Sequence, residues 1–265
     1  MSRRVAIVTG AARGIGAQVA HALAAASWDR VLFDRCEDDP DLAYPLATPA
    51  ELDEVVAACT DAGSHTVGVV GDVRDPAALQ GAVDLAVAEL GGLDAAVAAA
   101  GAIAGGKTAW TTSDSTWDSM IGINAEGVWR LAGAAVPALL GRPAPRHGRF
   151  VAISSMAGSV GLPMLTAYVA SKHAVNGIVR SLAAELGREG ITVNAVAPGS
   201  TLTAMLHASA EVYGLPDIAG LTTQHLLGRP LDPTEIAALA AWICSESSSG
   251  ITGAVLPVDA GATSQ

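Results

Sequence analysis

The sequence predicts one doubly wound α/β domain, in which helices cover both faces of a central parallel sheet. Two observations predict it. Short apolar runs of strand length alternate with helical patterns along all 265 residues, and a glycine-rich stretch joins the first apolar run to the first helix. No linker, internal repeat or low-complexity tract divides the chain, so we expect a single domain spanning residues 1–265. That length suffices to bury a large core.

The individual elements follow from hydropathy and from helix-start patterns. Val5 to Val8 is an apolar run typical of a buried strand, residues from Gly14 onwards have a helical pattern, and residues 30–33 form the next strand. Proline preceded by an acidic or hydroxyl side chain predicts further helix starts, because such pairs cap the first turn. These starts are Thr48-Pro49, Asp75-Pro76 and Asp232-Pro233, a longer helix is predicted from Asp114, and later strands are predicted at 93–98, 150–153, 191–196 and about 254–258.

A glycine-rich turn lies between the first strand and the first helix. Its sequence is Thr9-Gly10-Ala11-Ala12-Arg13-Gly14-Ile15-Gly16. Glycines at such a junction allow a tight turn and let backbone N–H groups approach a pyrophosphate at the positive end of the helix. An acidic residue, Asp34, follows about twenty positions later at the end of the second strand, as a dinucleotide site requires. The sequence therefore predicts a Rossmann-like site for a nicotinamide nucleotide.

Two kinds of side chain bear on which nucleotide binds. The carboxylate of Asp34 can accept hydrogen bonds from the ribose 2′-hydroxyl of NAD, and it repels the 2′-phosphate of NADP. Arg13 and Arg35 favour the opposite outcome, because a guanidinium pairs with phosphate. We predict NAD, since a buried strand end fixes the direction of Asp34 while Arg35 is free to turn into solvent.

Tyr168 and Lys172 lie four residues apart in an apolar segment, with Ser155 thirteen residues upstream of the tyrosine. Residues four apart share one face of a helix. A unit charge about 4 Å away, at an effective dielectric near 20, contributes roughly 4 kcal/mol, so we expect Lys172 to lower the pKa of Tyr168 towards neutrality. The phenol then becomes a proton donor or acceptor, as alcohol oxidation or carbonyl reduction requires. The alternative is an accidental surface pair, which the strand, loop and helix around these residues disfavour.

The chain resembles the short-chain dehydrogenase/reductase family from Arg4 to about Gly261. The likeness rests on the glycine-rich turn, Gly71-Asp72-Val73, Ile123-Asn124-Ala125, Ser155 with Tyr168-x-x-x-Lys172, and Pro198 to Thr203. It implies catalysis by Asn124, Ser155, Tyr168 and Lys172, with Asn124 helping to hold a water for a proton relay. It implies nucleotide contacts from Gly10, Arg13, Gly14, Ile15, Gly16, Asp34, Arg35, Asp72, Val73, Ala99, Ala100, Gly101, Tyr168, Lys172, Pro198, Gly199, Thr201 and Thr203.

Two departures from the usual family pattern narrow the interpretation. Ala98-Ala99-Ala100-Gly101 replaces Asn-Asn-Ala-Gly after the fourth strand, so backbone or other groups must supply the lost side-chain hydrogen bonds. The segment between Asp34 and Asp72 is longer than in a minimal member, and residues 36–48 have no clear period, which predicts an inserted loop. With these two departures and the sequence Tyr44-Pro45-Leu46-Ala47-Thr48-Pro49, the chain resembles the mycofactocin-associated subfamily of short-chain dehydrogenases.

That resemblance implies an NAD-dependent oxidoreductase that acts on a secondary alcohol or ketone. The insertion is expected near the adenosine end, where it would retain NAD, and the electrons would pass to mycofactocin, a peptide-derived redox carrier. One alternative is an ordinary dehydrogenase with freely exchanging NAD, in which residues 36–48 form a plain surface loop. The other is a non-catalytic nucleotide sensor, which the complete set of four catalytic residues disfavours. Family likeness also implies a homotetramer.

Composition restricts the partners and the compartment. A net charge of −11 argues against nucleic acid, whose phosphates would repel the chain. No apolar run is long enough to span a bilayer, and the first strand begins too close to Met1 for a signal peptide. The three cysteines form no disulfide framework and the six scattered histidines support no metal site, so we expect a cytoplasmic, metal-free protein.

The stretch from 201 to 229 has no regular pattern and is where this family places its substrate lid. It is mostly apolar, which favours a hydrophobic or cyclic alcohol over a charged sugar or acid. Trp110, Trp117 and Trp129 are expected to pack rather than to stack on a ligand. His173 is turned by about 100° from Lys172 on a helix, so we expect it to pack or to lie at the surface.

Overall fold

The computed structural model describes residues 3–264, which form a sheet of seven parallel strands. The strand order is β3-β2-β1-β4-β5-β6-β7, so the winding of the chain reverses between β1 and β4. In open α/β sheets, ligands bind at this point of reversal, outside the carboxyl ends of the strands. The strands are β1 Val5–Thr9, β2 Asp29–Asp34, β3 Thr66–Val70, β4 Ala95–Ala98, β5 Gly148–Ile153, β6 Ile191–Pro198 and β7 Val255–Val258.

Helices cover both faces of the sheet, which confirms the predicted fold class. They are α1 Gly14–Ala25, α2 Pro49–Asp61, α3 Pro76–Leu90, α4 Asp114–Met120, α5 Gly127–Leu140, α6 Thr166–Leu186, α7 Ala204–Val212 and α8 Pro233–Cys244. Side chains of α3, α5 and α6 enclose one apolar core with the sheet. Those of α1, α2 and α8 enclose a second core on the opposite face.

The predicted helix starts are confirmed, together with their physical cause. Thr48 and Asp232 form capping boxes with Glu51 and Glu235 at the starts of α2 and α8. At the start of α3, the Asp75 carboxylate accepts a hydrogen bond from the N–H of Ala77 at 2.8 Å. Each of these three helices has proline in its first turn. These caps occupy backbone N–H groups that the helix itself leaves without partners.

Several predicted strands differ by one or two residues at their ends, and two differences have an identifiable cause. Strand β4 begins at Ala95, because the preceding Asp94 carboxylate accepts the Val5 N–H at 2.8 Å and pairs with Arg142 at 2.9 Å. The helix predicted from Asp114 is interrupted by a π-helical turn over Ile121–Glu126, which joins α4 to α5. Such turns are frequent at functional sites. This one contains Asn124.

The predicted lid is more ordered than its sequence pattern indicated. It contains α7 and a 3₁₀ turn at Ile218–Thr222. The helix forms because Leu206, Ala208 and Ala210 turn inward and are buried. The insertion at 36–48, by contrast, contains neither helix nor strand, as predicted.

The expectation that the three tryptophans pack is wrong for the single chain. Trp110, Trp117 and Trp129 have exposed fractions of 85%, 43% and 61%. His173 is exposed, which is one of the two positions predicted for it. Between residues 3 and 264, no helix is both long and apolar enough to cross a membrane. Over the same range, no three His, Cys, Asp or Glu side chains come together in a way that would hold a metal ion.

Candidate active site

A cleft of about 500 Å³ lies at the carboxyl ends of the strands, a volume typical of small-molecule sites. We call one part the nucleotide half. It comprises the glycine-rich turn, Asp34, the lining residues of the 36–48 insertion, and residues 71–74. We call the other part the substrate chamber. It surrounds Ser155 and Tyr168 and is further lined by Ile103, Leu162, Leu165, Met205, Leu206, Tyr213 and Leu221.

Two glycines let the turn pack closely against its neighbours. Gly10 has a φ of +66°, and a Cβ there would lie 2.6 Å from the Cα of Ala100. A Cβ on Gly16 would lie 2.0 Å from the carbonyl oxygen of Gly10. Side chains at these positions would therefore force the turn away from β4 or from α1. With glycine, the backbone itself forms the wall of the nucleotide half.

The start of α1 differs from the starts of α2, α3 and α8. Its N-cap residue is Arg13, which makes no side-chain capping bond, and its first turn contains no acidic residue. The N–H groups of that turn are therefore not satisfied by a cap. Such groups, together with the positive end of the helix dipole, attract an anion. The arrangement fits the predicted pyrophosphate site.

Asp34 lies beside the glycine-rich turn, at the end of β2. Its carboxylate accepts hydrogen bonds from the N–H of Ala12 at 3.0 Å and from the N–H of Cys36 at 3.2 Å. These two bonds fix its direction, as expected for a strand end. The carboxylate lines the cleft, where it can accept a further hydrogen bond.

Arg35 is not free to turn into solvent, and that part of the prediction is wrong. Its guanidinium forms a short ion pair with Asp39 of the insertion and lies 3.5 Å from Asp72. Arg74 pairs with the same two carboxylates, at 2.8 Å from Asp39 and 2.6 Å from Asp72. Hydrogen bonds and charge from Arg74 and Arg35 hold the pKa of Asp72 below its usual value despite burial. We call these four residues the charge cluster.

The insertion crosses the nucleotide half and is anchored on both sides of it. The Tyr44 hydroxyl accepts a hydrogen bond from the N–H of Ile103 at 3.1 Å, in the loop after β4. Arg13 donates to the carbonyl of Pro45 at 2.6 Å, so the insertion is also joined to the glycine-rich turn. Leu42 is buried in the apolar core. The segment therefore extends beyond the adenosine end, where we had expected it, and reaches the edge of the substrate chamber.

The four predicted catalytic residues come together. A Cβ on Gly101 would lie 3.2 Å from Oδ1 of Asn124 and 3.5 Å from Nζ of Lys172. That same Nζ lies 5.8 Å from the centre of the Tyr168 ring. Tyr168 and Ser155 both line the cleft, and Ser155 lies close enough to the Tyr168 phenol to affect its pKa. Strand β5, the π-helical turn and α6 supply these side chains from separate parts of the sequence.

Asn124 holds the loop after β4 in place. Its amide donates to the carbonyl of Ala102 at 3.0 Å and its oxygen accepts from the N–H of the same residue at 2.9 Å. The amide also donates to Ser171 at 3.1 Å, and Ser171 donates to the Tyr168 carbonyl at 2.7 Å. Asn124 thus connects the loop after β4 to the helix carrying Tyr168, while the Thr9 hydroxyl accepts the N–H of Ala100 at 3.3 Å within the Ala-Ala-Ala-Gly sequence.

Burial dominates the proton affinities of Tyr168 and Lys172. It raises the pKa of Tyr168 to about 12, although the nearby Ser155 hydroxyl opposes the rise. It lowers the pKa of Lys172 to about 8. The Lys172 ammonium donates to the carbonyl of Ile153 at 3.0 Å, and its charge is not among the causes that set the pKa of Tyr168. The expectation that Lys172 brings the pKa of Tyr168 towards neutrality is therefore wrong for this structure.

A buried network holds the Ser155 loop against α6. Ser154 donates to Oδ1 of Asn176 at 2.7 Å, and the Asn176 amide donates to the carbonyl of Gly158 at 2.8 Å. A Cβ on Gly158 would lie 2.7 Å from that amide, so the two segments touch directly. Asn176 lies four residues after Lys172, one turn further along α6. The network therefore fixes the position of Ser155 relative to Tyr168.

The segment from Pro198 to Thr203 closes the cleft opposite the glycine-rich turn. The Thr203 methyl group would lie 3.3 Å from a Cβ on Gly14, and Thr201 forms a β-bridge with Leu231. Beyond it, the Tyr213 hydroxyl donates to the carbonyl of Pro163 at 3.0 Å, which fastens the end of α7 over the substrate chamber. Among the charged residues that line the cleft, those other than Lys172 belong to the nucleotide half.

All predicted site residues other than Asn124 line the cleft, and Asn124 lies directly behind Gly101. Sequence reasoning missed Asp39, Arg74 and Asn176. No pattern distinguishes Asp39 from the other carboxylates of the insertion. Arg74 directly follows Gly71-Asp72-Val73, and Asn176 is one helical turn from Lys172, so spacing could have identified both.

Comparison with known proteins extends over nearly the whole chain. A family model described as enoyl-(acyl carrier protein) reductase matches residues 10–263. The (−)-trans-carveol dehydrogenase of Rhodococcus erythropolis is 37% identical over 272 residues, covering 98% of this chain and 97% of the relative. A short-chain type dehydrogenase/reductase of Mycolicibacterium smegmatis is 36% identical over 273 residues, covering 97% of this chain and 96% of the relative.

Two solved structures show the same arrangement of elements. Carveol dehydrogenase from Mycobacterium avium, in complex with NAD, has a TM-score of 0.95 and 36% identity, with coverage of 100% of this chain and 99% of that one. A short-chain dehydrogenase from Mycobacterium paratuberculosis, bound to NAD, has a TM-score of 0.91 and 35% identity at the same coverage. On sequence, fold and site geometry, the chain belongs to the short-chain dehydrogenase/reductase family.

Proposed function

We propose that this protein is an NAD-dependent oxidoreductase that interconverts an apolar secondary alcohol and its ketone. The single observation that carries the proposal is the position of Ser155 and Tyr168. Both side chains line an apolar chamber that continues directly into the nucleotide half of the cleft, and Ser155 lies close enough to the Tyr168 phenol to affect its pKa. A substrate oxygen held there would lie beside a bound nicotinamide.

The nucleotide half fits NAD. The turn has no Cβ at Gly10 and Gly16 and the start of α1 has no side-chain cap, which suits a pyrophosphate. Asp34 is directed by two backbone N–H groups and would accept from the ribose hydroxyl. NAD supplies the acceptor or donor of the hydride. Gly10, Arg13, Gly14, Ile15, Gly16, Asp34, Arg35, Asp72, Val73, Ala99, Ala100, Gly101, Tyr168, Lys172, Pro198, Gly199, Thr201 and Thr203 would surround it.

Tyr168 moves the proton and Ser155 orients the substrate oxygen. With a pKa of about 12, the phenol is protonated at neutral pH, the state that donates to a carbonyl oxygen during reduction. Alcohol oxidation needs the phenolate, so its rate is expected to rise with pH. Asn124 positions the Tyr168 helix through Ser171, and the buried Lys172 ammonium lies beside the ring.

The substrate chamber favours an uncharged, hydrophobic alcohol. Its lining is apolar apart from the catalytic hydroxyls, Ser209 and Tyr213, and the hydroxyls of the last two are already bonded to the carbonyls of Met205 and Pro163. A carboxylate or phosphate would find no partner there and would lose its hydration. Relatives named for carveol, a cyclic alcohol, support this substrate class.

We further propose that NAD is retained between turnovers and reoxidised by mycofactocin. Support comes from the insertion, which crosses the nucleotide half and is anchored through Tyr44, Arg13 and the charge cluster. Such a segment has to detach before the nucleotide leaves, and this slows release without altering the chemistry. The alternative, an ordinary dehydrogenase with exchanging NAD, requires the insertion to open readily.

The deciding experiment measures the nucleotide in dialysed protein. We expect NAD to be released on denaturation, little steady turnover of carveol with added NAD, and repeated turnover with an artificial electron acceptor. Shortening residues 38–46 to a tight turn is expected to give nucleotide-free protein with ordinary NAD dependence. If the parent is nucleotide-free and cycles with external NAD, the ordinary dehydrogenase is correct. If it retains NAD but converts no apolar alcohol, the catalytic assignment fails and the sensor alternative gains support.

The assembly and compartment are proposals as well. We propose a homotetramer, for which the exposed tryptophans of the single chain provide support, because large apolar side chains in water favour burial against another surface. Trp117 and Trp129 lie on α4 and α5, so these helices are the expected contact region. Size measurement by light scattering tests this. We retain the cytoplasmic location as an expectation, tested by cell fractionation.

A further inference from the structure

We propose that Asp39, in the insertion, selects NAD over NADP by holding Arg35 and Arg74 away from the ribose 2′-position. The inference rests on the proposed nucleotide-binding function and adds a specificity residue to it. Asp34 alone was expected to account for the choice of nucleotide. The charge cluster provides a second, independent contribution.

The geometry of the cluster carries the proposal. The Asp39 side chain is 2% exposed, and one of its oxygens receives both guanidinium groups: Arg74 at 2.8 Å and Arg35 in a short contact. Its other oxygen accepts the N–H of Asp41 at 3.0 Å. Asp72 pairs with the same two arginines from the opposite side. Each guanidinium is thus already engaged by carboxylates at the adenosine end of the cleft.

Arginines at this end would otherwise favour NADP. A guanidinium binds phosphate through two parallel hydrogen bonds, and Arg35 follows Asp34 directly in the chain. In the cluster, two positive charges are balanced by two negative ones, and the Asp34 carboxylate adds a further negative charge. A 2′-phosphate would have to separate Arg35 from a buried carboxylate, and separating a buried pair is costly. A ribose hydroxyl requires no such exchange.

Substituting asparagine for Asp39 tests the role of its charge. Asp39→Asn keeps the oxygen that accepts the Asp41 N–H but removes the charge that holds Arg35 and Arg74. Asp38→Asn is the matched control, because it removes the same charge from the same insertion. Asp38 accepts a hydrogen bond from the Leu46 N–H at 2.7 Å and does not belong to the cluster.

Each protein is brought to equilibrium with equimolar NAD⁺ and NADP⁺, desalted and denatured, and the bound nucleotides are quantified. We expect the bound ratio of NADP to NAD to rise about tenfold or more in Asp39→Asn, the effect of one charge-assisted hydrogen bond. We expect it to stay within about twofold of the parent in Asp38→Asn. Adding Arg35→Leu to Asp39→Asn should remove the gain if Arg35 receives the phosphate.

Three outcomes would overturn the inference. They are an unchanged ratio in Asp39→Asn, an equal rise in Asp38→Asn, and a parallel loss of both nucleotides in Asp39→Asn that leaves their ratio unchanged. The last would assign Asp39 a purely structural role. If the parent binds neither nucleotide, the proposed function itself fails, and that result is distinct from all three.

Discussion

The two parts of the cleft are held together by different means. In the nucleotide half and at its border with the chamber, ion pairs and hydrogen bonds join segments far apart in the chain: Asp39 to Arg74, Arg13 to Pro45, and Tyr44 to Ile103. In the substrate chamber, the lining is mostly apolar, and the end of α7 is fastened by the bond from Tyr213 to Pro163 at the surface. Ser200 also donates to the Leu221 carbonyl at 2.9 Å, so the chamber is held by hydrogen bonds between uncharged groups, whereas the nucleotide half is held by buried ion pairs as well.

This difference indicates a division of labour. Breaking buried ion pairs together with hydrogen bonds is slow, whereas a lid held by hydrogen bonds between uncharged groups opens at smaller cost. A cofactor enclosed by the first part would stay while substrate and product exchange through the second.

The largest expected effect separates chemistry in the chamber from binding in the nucleotide half. Tyr168→Phe keeps the buried ring but removes the transferable proton. We expect turnover of carveol to fall by about 10²–10⁴-fold, the usual contribution of general acid–base catalysis, while retained NAD is unchanged. Turnover is measured with an artificial acceptor, and NAD is assayed after denaturation. Activity within a few-fold of the parent would show that Tyr168 does not transfer the proton.

A second prediction concerns Lys172, the buried charge where the two parts meet. Burial lowers its pKa from an ordinary 10.5 to about 8. Below pH 8 the side chain is charged in the folded protein, so burying that charge lowers the free energy of unfolding by its full amount. Between pH 8 and pH 10.5 this lysine is more protonated in the unfolded chain than in the folded protein. The free energy of unfolding therefore rises with pH over this range, by about 3 kcal/mol in total. Above pH 10.5 the cost is gone.

Lys172→Met should abolish that rise. The measurement is chemical denaturation of both proteins from pH 7.5 to 10.5, with the nucleotide content of each determined. The difference in unfolding free energy between variant and parent is expected to shift in favour of the parent as pH increases. A difference in bound NAD, or the loss of the hydrogen bond to Ile153, changes the free energy of unfolding by a similar amount at each pH. It does not produce this dependence on pH. Parallel pH curves would mean that Lys172 is not held as an uncompensated buried charge.

How far the sequence predicted the molecule depended on the range of the interactions involved. Local chemistry was readable: the capping boxes at Thr48 and Asp232, the glycine-rich turn and the Tyr168 to Lys172 spacing all depend on neighbours within a few residues. The mutual approach of Asn124, Ser155 and Tyr168 was predicted through family resemblance, since three separate elements supply them.

The predictions that were wrong concerned properties that depend on burial and on contacts between distant parts of the chain. Ion pairs with Asp39 and Asp72 determine the position of the Arg35 side chain. The 36–48 loop has no periodic pattern, so the sequence does not indicate where its carboxylates lie. The pKa of Tyr168 was mispredicted because the argument counted the lysine charge and left out desolvation of both groups. Trp129 is apolar but exposed in the single chain, and hydropathy alone does not distinguish a core face from an assembly face.

The smallest expected effects test the contrast between the two parts of the cleft directly, with one hydroxyl removed from each. Tyr44→Phe removes the acceptor for the Ile103 N–H in the nucleotide half, and Tyr213→Phe removes the donor to Pro163 over the chamber. A single hydrogen bond contributes about 0.5–1.5 kcal/mol, which corresponds to a change of roughly two- to twelvefold. We expect Tyr44→Phe to speed NAD release within that range while the KM for carveol stays constant.

Tyr213→Phe should do the reverse and raise the KM without altering NAD release, and by less, because its bond is exposed to water. Each variant serves as the control for the other, since both lose one phenolic oxygen and keep the ring. Release is followed by exchange of the bound cofactor against labelled NAD, and KM by turnover with an artificial acceptor. If both variants change both quantities equally, the insertion and the lid open together, and the two parts of the cleft are not independently fastened.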